Sequence, residues 1–146
     1  MIFGAVTLFT WLFLNPATIQ AQAGPTFPTA DISAKADGER EPLFWSVKGA
    51  FTLSGIPAGV NSCNVVVEFQ KQDANNNWIS LRSQTTIIVQ TANGSASNDT
   101  GWLSVTNPMP GDKWRIRVTG TYVVPGMPPQ DKLVPFKESA VLIPKP

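Results

Sequence analysis

Between Lys113 and Val124 the chain repeats with a period of two. Trp114, Ile116, Val118 and Tyr122 fall on one side of an extended backbone, around Gly120, while Lys113, Arg115, Arg117, Thr119 and Thr121 fall on the other. Successive side chains of a strand point to opposite faces, so this pattern requires a strand with one face in a core and the other in water. The same period recurs upstream. Trp45, Val47, Phe51 and Leu53 share a phase, with Gly49 between them, and Cys63, Val65, Val67 and Phe69 share another, opposite Asn64, Glu68 and Gln70. Val66 interrupts that alternation. Trp78 to Arg82 reads as a returning strand with Ile79 and Leu81 inward, Thr85 to Thr91 as a β-branched strand centred on Ile87 and Val89, and Trp102 to Thr106 as a short one. Lys132 to Ile143 closes the series, with Pro135 marking an edge strand or a break.

Turn signals separate these runs. Ser54–Gly59 is rich in Gly and Pro, Asp73-Ala74-Asn75-Asn76-Asn77 has the residues of a hairpin connection, and Asn107–Asp112 and Pro125–Pro129 turn the chain again. Ala92 to Thr100 is small and polar and reads as a loop. Thirteen prolines and eleven glycines leave little room for long helices. About seven strands, each with a single apolar face, predict an all-β fold: a two-sheet antiparallel β-sandwich.

The front of the chain has a different character. Ile2 to Leu14 is almost continuously apolar, no charged side chain precedes Asp31, and Ala21-Gln22-Ala23 supplies small residues at a cleavage spacing. This is the layout of a secretory signal peptide over 1–23, although its first residues lack Lys and Arg. The apolar run, as a helix, reaches about 20 Å against roughly 30 Å of hydrocarbon, so no stable membrane span is expected after cleavage. The localisation implied is secreted or extracytoplasmic, periplasmic or extracellular. Residues 24–42, with Pro25, Pro28 and the charged run Asp37–Glu41, read as an extended N-terminal arm in which Ile32–Ala34 contributes at most a short strand. Residues 43–146 then form the sandwich domain. Cys63 is the only cysteine, so no intramolecular disulfide is possible.

The stretch Pro110-Gly111-Asp112-Lys113-Trp114-Arg115-Ile116-Arg117-Val118 resembles a fibronectin type III domain, a member of the immunoglobulin-like sandwiches. That family commonly has a Pro-Gly turn, an aromatic, and alternating apolar residues in its sixth strand. Trp114 stands where the family usually has a tyrosine whose hydroxyl bonds back across the corner. An indole donates but does not accept in the same way, which puts that bond in question. The resemblance implies architecture; this kind of fold serves adhesion, carbohydrate binding, chaperoning and spacing alike.

Composition bears on function mainly by exclusion. The chain has no histidine and a net charge of +1. The commonest general base and zinc ligand are therefore missing, and broad attraction to nucleic acid or anionic membrane is not expected. No nucleophile–base set, phosphate loop or Cys/His metal cluster is present, so no cofactor, metal or catalytic residue is assigned. A glycosidase would need two carboxylates in one concave place. Asp73–Asn77 lacks the Gly and distal Glu of a calcium loop. Asn93-Gly94-Ser95 and Asn98-Asp99-Thr100 are glycosylation sequons in a eukaryotic secretory route.

The candidate binding residues are aromatic and cationic. Trp45 and Trp114 are in phase with the core. Trp78 and Trp102 are out of phase with Ile79, Leu81, Leu103 and Val105, which puts both on outer faces, where an indole can stack on a sugar ring or enter a partner's pocket. Lys113, Arg115 and Arg117 line one strand face, and family strand order places Glu68 and Gln70 beside them. Cross-strand pairing then gives a solvated outer face, and the functional alternative is an anionic-ligand patch with Trp78 at its edge. The ligand-binding candidates are Trp78, Trp102, Arg115 and Arg117. The function expected is a secreted, non-enzymatic module for interaction or structure, its partner an extracellular protein or polysaccharide. The alternative is a carbohydrate-binding domain that uses the exposed tryptophans.

Overall fold

The computed structural model describes residues 24–37, 44–90, 94–106, 111–128 and 130–143. The export signal expected over 1–23 lies outside the described residues. The described chain is all-β: β1 (Ala30–Asp37), β2 (Phe44–Leu53), β3 (Ser62–Gln72), β4 (Trp78–Gln90), β5 (Ala96–Asp99), β6 (Leu103–Thr106), β7 (Trp114–Tyr122) and β8 (Lys132–Glu138). One sheet has the order β1-β2-β5, with β6 also pairing β2, and the other has the order β4-β3-β7-β8. Every strand pairing is antiparallel.

The two sheets meet through the apolar phases read from the sequence. Val47, Phe51 and Leu53 of β2 face Cys63, Val65, Val67 and Phe69 of β3 and Ile116 and Val118 of β7, all buried in one cluster. Each such side chain contributes about 1.5–3 kcal/mol when it leaves water. Gly49 sits where the layers come very close: a Cβ built there would stand 2.9 Å from Val67 Cγ1 and 3.2 Å from Ile116 Cδ1. A larger residue at that point must displace these two buried side chains of the opposite sheet.

Residues 24–42, read from the sequence as an arm ahead of the domain, instead carry its first strand. All eight residues of β1 pair with β2, Thr26 bridges Ser54, and Phe27 is buried edge-on against Phe51 at 5.9 Å between ring centroids. The sandwich therefore starts before residue 43. The small side chains Ala30 and Ala34 hide this strand from a hydrophobicity pattern although they pair opposite Phe51 and Val47.

Three further expectations change. Trp78–Arg82 and Thr85–Thr91 merge into the single strand β4, which absorbs its irregularities as register shifts against β3. The loop read over Ala92–Thr100 contains β5, a polar strand with no fully buried residue of its own. β5 and β6 pair successive halves of β2, and the chain breaks between them at Thr100-Gly101-Trp102. There Thr100 donates its N–H to the Gly49 carbonyl at 2.9 Å, its hydroxyl accepts the Gly49 N–H at 3.1 Å, and Gly101 takes a φ of 68°. Finally, Ile79 and Leu81 are not in the core. Ile79 pairs with Lys71, and both apolar residues face an open concavity of about 580 Å³ at the end of the sandwich, bordered by Lys71, Asp112 and Lys113.

The Asp73–Asn77 hairpin is built as its residues dictate. Asp73 Oδ1 accepts the N–H groups of Asn75 and Asn77, each at 2.8 Å, and Asn76 adopts a φ of 65°. Asn tolerates that left-handed conformation better than most residues. Pro135 lies in the edge strand β8, at a register shift against β7, where its missing N–H costs no ladder bond. Among the described residues no helix is long and apolar enough to cross a membrane.

Candidate functional site

The outer face of β4-β3-β7-β8 gathers most of the chemistry read from the sequence. Ile116 and Val118 point into the core, which turns Arg115 and Arg117 outward. On the neighbouring strand Gln70 stands opposite Arg115 and Glu68 opposite Arg117, the adjacency anticipated from the strand order. Lys113 precedes β7 and borders the end concavity, so the stripe consists of the two arginines alone.

Those arginines sit in different circumstances. Arg115 donates from Nε to Gln70 Oε1 at 2.8 Å and from Nη1 to Glu138 Oε2 at 2.6 Å, and its guanidinium lies 4.2 Å from the centre of the Trp78 ring. It thereby ties together all four strands of the sheet, and its partner Gln70 is buried. Such a partly buried pair and its cation–π contact contribute on the order of 1 kcal/mol each. Arg117 also lies over an aromatic, 4.2 Å from the Phe136 ring centre. Its Nε is buried with no acceptor, and among the described residues no ion pair joins it to Glu68 or Glu138.

On the β8 side of Arg117 two apolar side chains stand open. Phe136 is 56% exposed and Leu133 76%. Leu133 pairs with the outward Thr121, while Phe136 reaches the same side because β8 has two residues between Val134 and Lys137 where β7 has one between Val118 and Gly120. A strict two-residue period puts positions 133 and 136 on opposite faces, so the sequence pattern could not bring them together. The only hint was Pro135, which marks the place where the period slips.

Trp102 lies on the opposite outer face, that of the first sheet. It is half exposed, with the ammonium groups of Lys35 and Lys48 at 4.8 and 5.2 Å from its ring centre. Lys48 also pairs with Asp99 at 3.8 Å. The four candidates thus separate: Trp78, Arg115 and Arg117 share one surface, and Trp102 is back to back with them across the sandwich. No single small ligand can stack on both tryptophans. Trp78 is further occupied by Arg115, which covers one side of its ring.

Asp31 and Asp99 both stand opposite Ala50 and line a shallow groove of about 460 Å³ with Thr29, Thr52, Ser97 and Asn98. Two carboxylates therefore border one concavity. Both are exposed, and Asp99 is committed to Lys48 and to the Gly101 N–H, which it accepts at 2.8 Å. Neither has the apolar enclosure that prepares a carboxylic acid to donate a proton.

Two other groups are used by the fold. The Asn77 N–H holds the Asp73 carboxyl below its usual range, with help from the Asn77 side chain and the Asn75 N–H, so this loop's charge is spent on its own backbone. Burial pushes the Cys63 thiol up, and at 1% exposure Cys63 cannot meet another thiol while the domain is folded. Among the described residues no group of three or more His, Cys, Asp or Glu side chains is placed to hold a metal ion.

No family model matches this chain. No curated protein and no solved structure matches it either.

Proposed function

We propose that this chain is a secreted, non-enzymatic β-sandwich module that binds a protein partner outside the cytoplasm through the outer face of β4-β3-β7-β8. One observation carries the reading. Arg117 lies over Phe136, and Phe136 and Leu133 stand exposed on the same outer side of β8, beside a neighbour, Arg115, engaged in holding the sheet together. Arg and large aromatic side chains dominate the energetics of protein interfaces. The leader-like residues 1–23 support export, and the lack of histidine removes the commonest general base.

The strand order supports the likeness to fibronectin type III domains. β3 pairs with β7, the adjacency that likeness implied for Glu68 and Gln70 beside the arginines, within two sheets of four strands each. Trp114 departs from it, since its buried Nε1 has no hydrogen-bond partner. The test is partner capture from the producing organism's envelope and medium with wild-type protein, Phe136→Ser and Trp102→Ser as baits. Capture lost in Phe136→Ser alone fits the proposal; capture lost only in Trp102→Ser, or in neither, counts against it.

The carbohydrate-binding reading retains one favourable observation: the half-exposed Trp102 is linked through Lys48 to Asp99, which lines the polar groove with Asp31 and Asn98. Retention on a polysaccharide panel, lost in Trp102→Ala with folding intact, would establish it in place of the protein-binding reading.

A further inference from the structure

We propose that Arg117 is the anchor for a carboxylate of the protein partner, an Asp or Glu side chain flanked by apolar residues; this deepens the contact-face reading above and rests on it. The distribution of acceptors on the sheet points to it first. Two carboxylates, Glu68 and Glu138, stand opposite Arg117 on its two neighbouring strands. Glu138 is taken by Arg115 at 2.6 Å, and Glu68 makes no ion pair with Arg117. The guanidinium of Arg117 therefore has no acceptor among the described residues, although its Nε is out of contact with solvent. A partly buried guanidinium without an acceptor forgoes its strongest bonds, and a planar fork of donors suits a carboxylate.

The surroundings narrow the chemistry of the acceptor. The guanidinium rests over the Phe136 ring at 4.2 Å, yet more than half of the Phe136 surface stays exposed. Leu133 is exposed on the same side. An inorganic anion or a lone sugar acid would meet the charge but leave this apolar surface wet. Lys132 and Lys137 of β8 pair with Tyr122 and Val118, which belong to the inward phase, so among the described residues the uncommitted positive charge on this face is that of Arg117. A peptide carrying Asp or Glu next to Leu, Phe or Trp satisfies all three features together.

A random peptide library displayed on phage and panned on the immobilised full chain tests this directly. Enriched peptides are then measured against the wild type, Arg117→Gln, Arg117→Lys, Glu68→Gln and Phe136→Ser, each first shown to keep the wild-type urea midpoint. The expected result is enrichment of an acidic residue beside large apolar ones. Affinity should fall about tenfold or more in Arg117→Gln, fall less in Arg117→Lys, rise in Glu68→Gln, and weaken with salt. Peptides lost in Phe136→Ser but indifferent to Arg117→Gln would keep the contact face and overturn the carboxylate anchor. Peptides indifferent to both variants, or no enrichment, would overturn both.

Discussion

Gly49→Ala adds one methyl group at a point of very close approach between the sheets, and its consequence can be worked through. The new carbon would lie 2.9 Å from Val67 Cγ1 and 3.2–3.3 Å from two atoms of Ile116, residues with no exposed surface of their own. Neither neighbour is the end of a flexible chain, so the layers must part or a rotamer must strain, at about 1–3 kcal/mol. Against this, Ala reduces the freedom of the unfolded chain relative to Gly, worth about 0.4–1 kcal/mol in favour of folding. The overpacking is the larger effect, and a net loss of about 1–2 kcal/mol follows. With a urea slope of about 1–3 kcal/mol per molar, the midpoint falls by roughly 0.3–2 M. Val67→Ala on its own removes two buried methyl groups and costs about 2–3 kcal/mol. In the double variant the added carbon occupies part of the space vacated, so the combined loss should be smaller than the sum by about 1 kcal/mol. A neutral or stabilising Gly49→Ala, or strictly additive losses, would refute the close face-to-face packing of the two sheets.

Other consequences are equally direct. Cys63 should resist a thiol reagent in the native protein and react at the rate of a free thiol once unfolded in urea; rapid native labelling would contradict its burial. Asp73 has a folded-state pKa below its unfolded value, so its contribution is present above the ordinary carboxylate range and is lost as pH falls through the depressed folded value. Asp73→Ala should lower the melting temperature at neutral pH and leave a shallower decline on acidification, both read by circular dichroism. Expression in an export-competent host should yield a protein outside the cytoplasm whose mature N-terminus, read by mass spectrometry, is Gly24. No glycoside panel should be hydrolysed; turnover abolished by Asp31→Asn or Asp99→Asn would make the first sheet's groove an active site.

The middle of the sandwich was legible in the sequence because β2, β3 and β7 bury one face each, so their apolar residues recur every second position. Cys63, Val65, Val67, Phe69, Ile116 and Val118 are all where that period places them. The first strand was less visible: β1 brings alanines to the core, and its partner Phe51 supplies the bulk. β5 was invisible for the opposite reason, since Ser97, Asn98 and Asp99 hold their place through backbone pairing with β2 and not by burial. Ile79 and Leu81 have a buried pattern without burial, because periodicity reports which way a side chain points and says nothing of what lies opposite.

The candidate site was half legible for similar reasons. Alternation was enough to turn Arg115, Arg117 and Trp78 outward. What distinguishes the arginines is Glu138, which stands in register with Arg117 yet bonds Arg115, a choice made by side-chain geometry alone. Phe136 and Leu133 reach one surface through the irregularity at Pro135, which breaks the very period used to find faces. Trp102 looked equivalent to Trp78 in phase, and only the division of strands between two sheets separates them.

The most direct measurement is photo-crosslinking in the producing cell, with a photoreactive phenylalanine analogue placed at Phe136 in one strain and at Trp102 in another. A discrete protein adduct is expected from position 136, lost when Arg117→Gln is added, and none from position 102. Adducts from position 102 alone, or no adduct from position 136 in a folded and exported protein, would contradict the claim that the outer face of the four-stranded sheet is where this domain makes contact.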